Sequence, residues 1–227
     1  SSDTNSAKLR AQEVQTVTNY LSSLNEGGNY IFMGDFNIYE NSELAFQNLS
    51  NHTSPYARLY DPLNRIGAWH NNSTYADLHT QSTRTTNLPD GGVSGGMDDR
   101  FDFIMTSDHI LNDSSGIKYL SGSYKTLGQD GMHFNKSIND MPNNVSAPAN
   151  VIQALYEMSD HLPVYADLVV QPNNSNYVYS VAQRNPVIVK AVNPFTNNIS
   201  LYWDNSMISK EAIIHISSID GRILYTS

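Results

Sequence analysis

Three short apolar runs constrain this chain more than any other feature: Tyr30-Ile31-Phe32-Met33, Phe101-Asp102-Phe103-Ile104-Met105 and Leu162–Val170. Each is of strand length and too short for a helix that must bury a face. The first is continuously apolar and reads as a strand buried on both faces. The other two alternate, as half-buried strands do. Between them lie tracts rich in Asn, Thr, Gly and Pro, at 51–100 and 112–148, which read as long ordered loops. None of the 227 residues is cysteine, which removes disulfide staples, thiolate zinc sites and cysteine nucleophiles together. Loop order must therefore come from packing. A hydrophobic share of 39% and an aromatic share of 10% suffice for a core and exclude wholesale disorder.

A helix precedes the first strand. From Ser6 onward, Leu9, Val17, Leu21 and Leu24 fall near a 3.6-residue period, with Val14 and Tyr20 flanking the stripe. Asn25-Glu26-Gly27-Gly28 stops it. Further on, Ser42 is a plausible N-cap for a helix over Glu43–Leu49, and Val151–Met158 reads as another short helix. Gln171-Pro172-Asn173-Asn174-Ser175-Asn176 is the best linker. Beyond it, short β-rich runs at Tyr177–Ala182, Val187–Val192, Ile199–Trp203, Ala212–Ser217 and Arg222–Tyr225 suggest a small β-sandwich. The division is thus 1–170 and 171–227.

Charge separates the same two parts. Residues 1–170 sum to −10 and residues 171–227 to +1, for a net −9. An acidic surface disfavours coating of nucleic acid through phosphate contacts, but a phosphate-handling site remains open if a divalent cation inverts the charge locally. No apolar run approaches the ~18–20 residues of a membrane helix. The opening SSDTNSAK has neither the basic nor the apolar region of a signal peptide.

The chemistry-bearing residues sit at strand ends. Asp35 and Asn37 follow the first strand, Asp102 lies in the second, and Asp160 and His161 stand at the mouth of the third. Oxygen ligands of this kind suit Mg²⁺, Mn²⁺ or Ca²⁺ better than zinc. A carboxylate beside an imidazole fixes its tautomer and supports the imidazolium, so the pair can activate water. Taken alone, Gly34-Asp35 also describes a plain strand exit, and Asp160-His161 a capped turn. Arg84 and Arg100 can each hold a phosphate in a fork, or pair with neighbouring Asp residues. Gly128–Asn135 reads equally as a substrate-side loop or a structural turn. His52, His70, His79, His109 and His215 show no metal-cluster spacing and read as surface or core histidines, while Tyr56, Tyr60, Trp69 and Tyr75 read as loop anchors.

Tyr30-Ile31-Phe32-Met33-Gly34-Asp35-Phe36-Asn37, Asp99-Arg100-Phe101-Asp102-Phe103-Ile104 and Ser159-Asp160-His161-Leu162-Pro163-Val164, in that order, resemble the last three signatures of the endonuclease/exonuclease/phosphatase superfamily of DNase I-like enzymes. The resemblance implies an α+β fold, half of a four-layer α/β-sandwich, and metal-assisted attack of water on a phosphoester. In that scheme His161 is the general base or a transition-state donor and Asp102 orients it. Asp160 binds metal, Asp35 aligns the nucleophile or the metal, and Asn37 contacts the scissile phosphate.

The resemblance covers only the second half of such a domain. Its upstream Asn, its principal metal-binding Glu and its further catalytic His have no match here, so the expectation is a truncated, cleaved or partly observed product of a longer protein. Such a half exposes an apolar sheet face. It is expected to associate with the missing half or with another copy, and to be inactive alone. In the tail, Asn193-Pro194-Phe195, Asn198-Ile199-Ser200-Leu201 and Ile219-Asp220-Gly221-Arg222-Ile223-Leu224 resemble part of the sorting domain of type IX secretion in Bacteroidetes, with an ordinary immunoglobulin-like module as the alternative. The function expected is a secreted or cell-surface, Mg²⁺-dependent (or Mn²⁺/Ca²⁺-dependent) phosphodiesterase, a nuclease acting on nucleic acid. The alternatives are a phosphomonoesterase or sphingomyelinase of the same superfamily, and a non-catalytic extracellular binding module.

Overall fold

The computed structural model describes residues 4–112, 116–170, 215–217 and 223–226. The chain divides into two compact units, Ser1–Asn173 and Asn174–Ser227. In the first unit, helix α1 (Thr4–Leu24) leads to strand β1 (Ile31–Asp35), helix α2 (Leu44–Ser50), strand β2 (Leu59–Tyr60) and strand β3 (Asp102–Ser107). One turn of helix, α3 (Asp108–Leu111), is followed by β4 (Ile117–Tyr119), β5 (Lys125–Thr126), α4 (Ala149–Met158), β6 (Val164–Tyr165) and β7 (Leu168–Val170). The architecture is mixed α and β with small sheets: β1-β3-β2 is three-stranded, and β4-β7 and β5-β6 are two-stranded. In the second unit, β8 (His215–Ser217) pairs antiparallel with β9 (Ile223–Thr226), and the other expected strands and the linker lie outside the described residues. No helix among the described residues is long and apolar enough to cross a membrane.

The main core forms where α1 and α2 cover one face of the three-stranded sheet. Phe103 and Met105 of β3 and Leu59 of β2 meet Ala45, Phe46 and Leu49 of α2 and Ala11, Val14 and Leu21 of α1. Trp69 joins them from a loop, its indole N–H donating to the Ile38 carbonyl at 2.6 Å. The face of α1 that packs is rotated from the expected stripe: Val14 is central, and Leu9 is 59% exposed. Thr18 can share that buried face because its hydroxyl donates back to the Val14 carbonyl. Ser42 is not the cap of α2. Glu43 occupies that position, and its carboxylate accepts from the Tyr39 N–H and from Arg10.

Two strand expectations change. β1 runs on to Asp35, and it is not buried on both faces. It is an edge strand whose Phe32 faces the core, while Met33 on the opposite face is 68% exposed. Leu162–Val170 is not one strand but two, because the chain turns at Asp167, whose carbonyl and N–H are taken by Leu120 and Ser123. The loop tract before β3 does order as expected. Its segment 78–84 is largely buried, threading between the sheet and a second core of Met97, Ile138, Ile152, Leu155 and Leu162.

Candidate active site

Strand register creates the first pair. β1 and β3 run antiparallel with Asp35 opposite Asp102, Met33 opposite Ile104 and Ile31 opposite Thr106. Directly opposed residues project to the same face, so both carboxylates stand on the face away from α1 and α2. The chain after α4 then delivers the imidazole. Ser159 Oγ accepts the His161 N–H, Leu162 N–H donates to the Thr80 carbonyl, and Leu162 anchors in the second core.

His161 Nδ1 lies 2.7 Å from Asp102 Oδ2, and its Nε2 is 3.9 Å from Asp35 Oδ2. Asp35 Oδ1 accepts the Asn37 N–H at 2.9 Å, closing a turn in which Asn37 adopts the left-handed conformation (φ 53°) and turns its amide to Asp35 Oδ2 at 3.4 Å. Asp160 Oδ2 accepts the Val93 N–H at 2.8 Å and the Gln81 amide N–H at 3.0 Å. The same Gln81 nitrogen is 2.7 Å from His161 Nε2. Asp35, Asn37, Asp102, Asp160 and His161 thus belong to one connected group, linked through Gln81, a residue that sequence reasoning missed because a lone glutamine in a loop carries no motif.

The electrostatics favour the protonated form of the imidazole. Burial alone depresses the His161 imidazole, but the hydrogen bond and charge of Asp102, with the charges of Asp35 and Asp160, raise it above its ordinary value. Partial burial lifts Asp35, and the Asp102 carboxylate beside it adds to the effect. Burial would lift Asp160 too, yet the Val93 and Gln81 N–H groups it accepts leave it below the usual carboxylate range. The two acids are thus shifted in opposite directions, Asp35 up by burial and Asp160 down by the N–H groups it accepts.

The two arginines are placed differently from the expectation that they hold phosphate. Arg100 is 1% exposed, its fork is bound by Asp61 at 2.7 and 2.9 Å, and its guanidinium stacks 4.2 Å from the Phe103 ring centre. Arg84 is fully buried, with one nitrogen held by both oxygens of Asp90 at 2.7 and 2.6 Å. Asp61 closes the Arg100 fork and burial withholds that of Arg84, so neither guanidinium presents an exposed edge to phosphate. The Gly128–Asn135 loop is structural: His133, 1% exposed, points Nδ1 at Asp130 and Nε2 at the Asp140 and Pro142 carbonyls.

A second cluster gathers around His70, which is exposed, in keeping with its reading as a surface histidine. One ligand atom each from His70, Asp98 and Asp99 lies within 4.8 Å of the others, and this trio can hold a metal ion. Its origin is local backbone geometry. The N–H groups of Asp98 and Asp99 both donate to the Gln81 carbonyl, so two consecutive residues oppose one, as at a β-bulge. His70, 29 residues before Asp99 in sequence, bonds it at 2.6 Å. Burial and the neighbouring Asp99 push Asp98 up to about 6. Among the described residues Asp35 and Asp160 form no comparable three-ligand group.

No family model, no curated protein and no solved structure matches this chain.

Proposed function

We propose that residues 1–170 form the C-terminal half of a DNase I-like sandwich and carry a metal-dependent phosphodiesterase site, acting on nucleic acid outside the cell. The observation that supports this most is the Asp102–His161 pair, with Asp35 3.9 Å from the other ring nitrogen, Nε2. Asp102 accepts the Nδ1–H hydrogen bond, which leaves Nε2 as the nitrogen that can remove a proton from water. Asp35 and Asp160 would hold a divalent cation, which supplies Lewis-acid polarisation of a phosphoryl oxygen when bound. The Asn37 amide, turned by its left-handed backbone, is the neutral donor for a phosphate oxygen. A partner segment, from an upstream part of the protein or a second copy, would complete the metal shell and cover the exposed β1 face.

The test is hydrolysis of plasmid DNA, RNA, sphingomyelin and an inositol phosphate by the longest natural form of the protein, with and without EDTA. EDTA-sensitive cleavage of nucleic acid supports the nuclease reading, and turnover of the other two substrates alone replaces it with a phosphomonoesterase or sphingomyelinase. His161→Ala should lower turnover by ~10²-fold or more, the scale of a lost acid–base group, with folding intact. Unchanged turnover in that variant ends the assignment. A binding module without chemistry is the second reading, favoured because the principal metal-binding Glu of the resembled family has no match in this sequence. Metal-independent substrate binding without turnover would establish it.

A further inference from the structure

We propose that Gln81 is a positioning residue of this site, its side-chain N–H capping Nε2 of His161 and holding that nitrogen as a bare lone pair. The Gln81 amide nitrogen is 2.7 Å from His161 Nε2 and 3.0 Å from Asp160 Oδ2. Amide orientation follows from the neighbours. An oxygen in that place would face the Asp160 carboxylate, whereas an NH₂ group satisfies both acceptors with its two hydrogens. On the other side of the ring, Asp102 accepts from Nδ1 at 2.7 Å, so the single proton of neutral imidazole belongs on Nδ1. Nε2 is then an acceptor, and Gln81 is its donor.

The backbone delivers this contact. Gln81 stands between Asp99 and His161 in two antiparallel bridges, which turns its side chain to the same face as the imidazole. Its neighbours are fixed. The Thr80 carbonyl accepts the Leu162 N–H at 2.8 Å, and the buried Ser82 hydroxyl donates to the Val93 carbonyl at 2.6 Å. Gln81 therefore has little freedom except in its own side-chain torsions. On the hydrolase reading, water reaches Nε2 only after the amide swings away, and the freed N–H becomes a donor to a phosphoryl oxygen. The cap itself does not depend on that reading.

Carbethoxylation by diethyl pyrocarbonate tests the cap, because the reagent needs an unprotonated, unbonded imidazole nitrogen. The full chain is labelled at mildly alkaline pH, and modification of the His161 peptide is followed by mass spectrometry with His52 as internal reference. Gln81→Ala and Gln81→Met should both label His161 about 2- to 10-fold faster than the unsubstituted protein, the factor expected when one neutral hydrogen bond is lost. Methionine keeps the length of glutamine without its donor. A Gln81→Met rate equal to that of the unsubstituted protein means that Gln81 only fills space, and overturns the proposal whatever alanine does. Should one variant fail to fold, the other decides by the same criterion. Hydrolysis plays no part in the readout. Inactivity of the longest natural form, together with a fast-labelling methionine variant, would keep the cap and discard the hydrolase reading.

Discussion

Asp61→Ala should be among the most destabilising single changes in the first unit. The Asp61 side chain is 6% exposed and that of Arg100 1%, so solvent screens little of their interaction, and both oxygens of Asp61 engage the guanidinium. Removing the carboxylate leaves a buried cation compensated only weakly by ring faces, Phe103 at 4.2 Å, Tyr124 at 5.9 Å and Trp69 at 6.0 Å. Breaking a buried pair in this way costs about 3–5 kcal/mol. For a domain of this size that is a fall in melting temperature of roughly 6–20 °C. Equilibrium urea unfolding measures it directly, as a lower midpoint at unchanged slope. Asp61→Ala/Arg100→Leu should recover most of the loss, because the uncompensated charge and not the missing bridge is what costs stability. A loss below about 1 kcal/mol for Asp61→Ala, the range of exposed pairs, would refute this account of Arg100. It would also reopen the possibility that its fork is free for phosphate.

Three further outcomes follow from the titratable groups. His133 has acceptors at both ring nitrogens, and although burial opposes its charge, those partners raise its pKa. Its stabilisation is fully present below the unfolded value near 6.5 and is lost as pH rises through the folded value. His133→Gln should therefore flatten the fall in urea-unfolding free energy between mildly acidic and mildly alkaline pH, and an unaltered slope would show the ring is not charged. Asp98 follows the same rule in a lower pH window. Raised to about 6, it stabilises below its unfolded value near 3.8, and that contribution is gone above 6. Asp98→Asn should stabilise the metal-free protein at neutral pH, and a loss of stability there would contradict the burial argument. Addition of Mn²⁺ should raise the melting temperature of the unsubstituted protein more than that of His70→Ala, with equal shifts in both removing His70 from the metal site.

Local patterns were readable from the chain. The period of residues 6–24 marked α1, the glycine pair ended it, and an apolar run ending in Gly34-Asp35 located β1 and a carboxylate at its exit. Such features depend on neighbours in sequence, where backbone period and turn chemistry act directly. Which face of α1 packs, with Val14 central and Leu9 exposed, was decided by α2 and the sheet.

The composition of the site divides in the same way. Asp35, Asp102, Asp160 and His161 were legible as residue types suited to phosphoester chemistry, but the pairing of Asp35 with Asp102 is a property of strand register. The fates of Arg84 and Arg100 were undetermined until Asp90 and Asp61 closed on them, because a guanidinium takes whichever carboxylate the fold brings first. Gln81 and the His70–Asp98–Asp99 trio carry no sequence signal at all. They arise from two bridges and a bulge that bring together segments far apart in the chain. Sequence alone determined which groups were available to do chemistry. Tertiary structure decided which of them meet, since hydrogen bonds and charges act over a few ångströms of space and not along the chain.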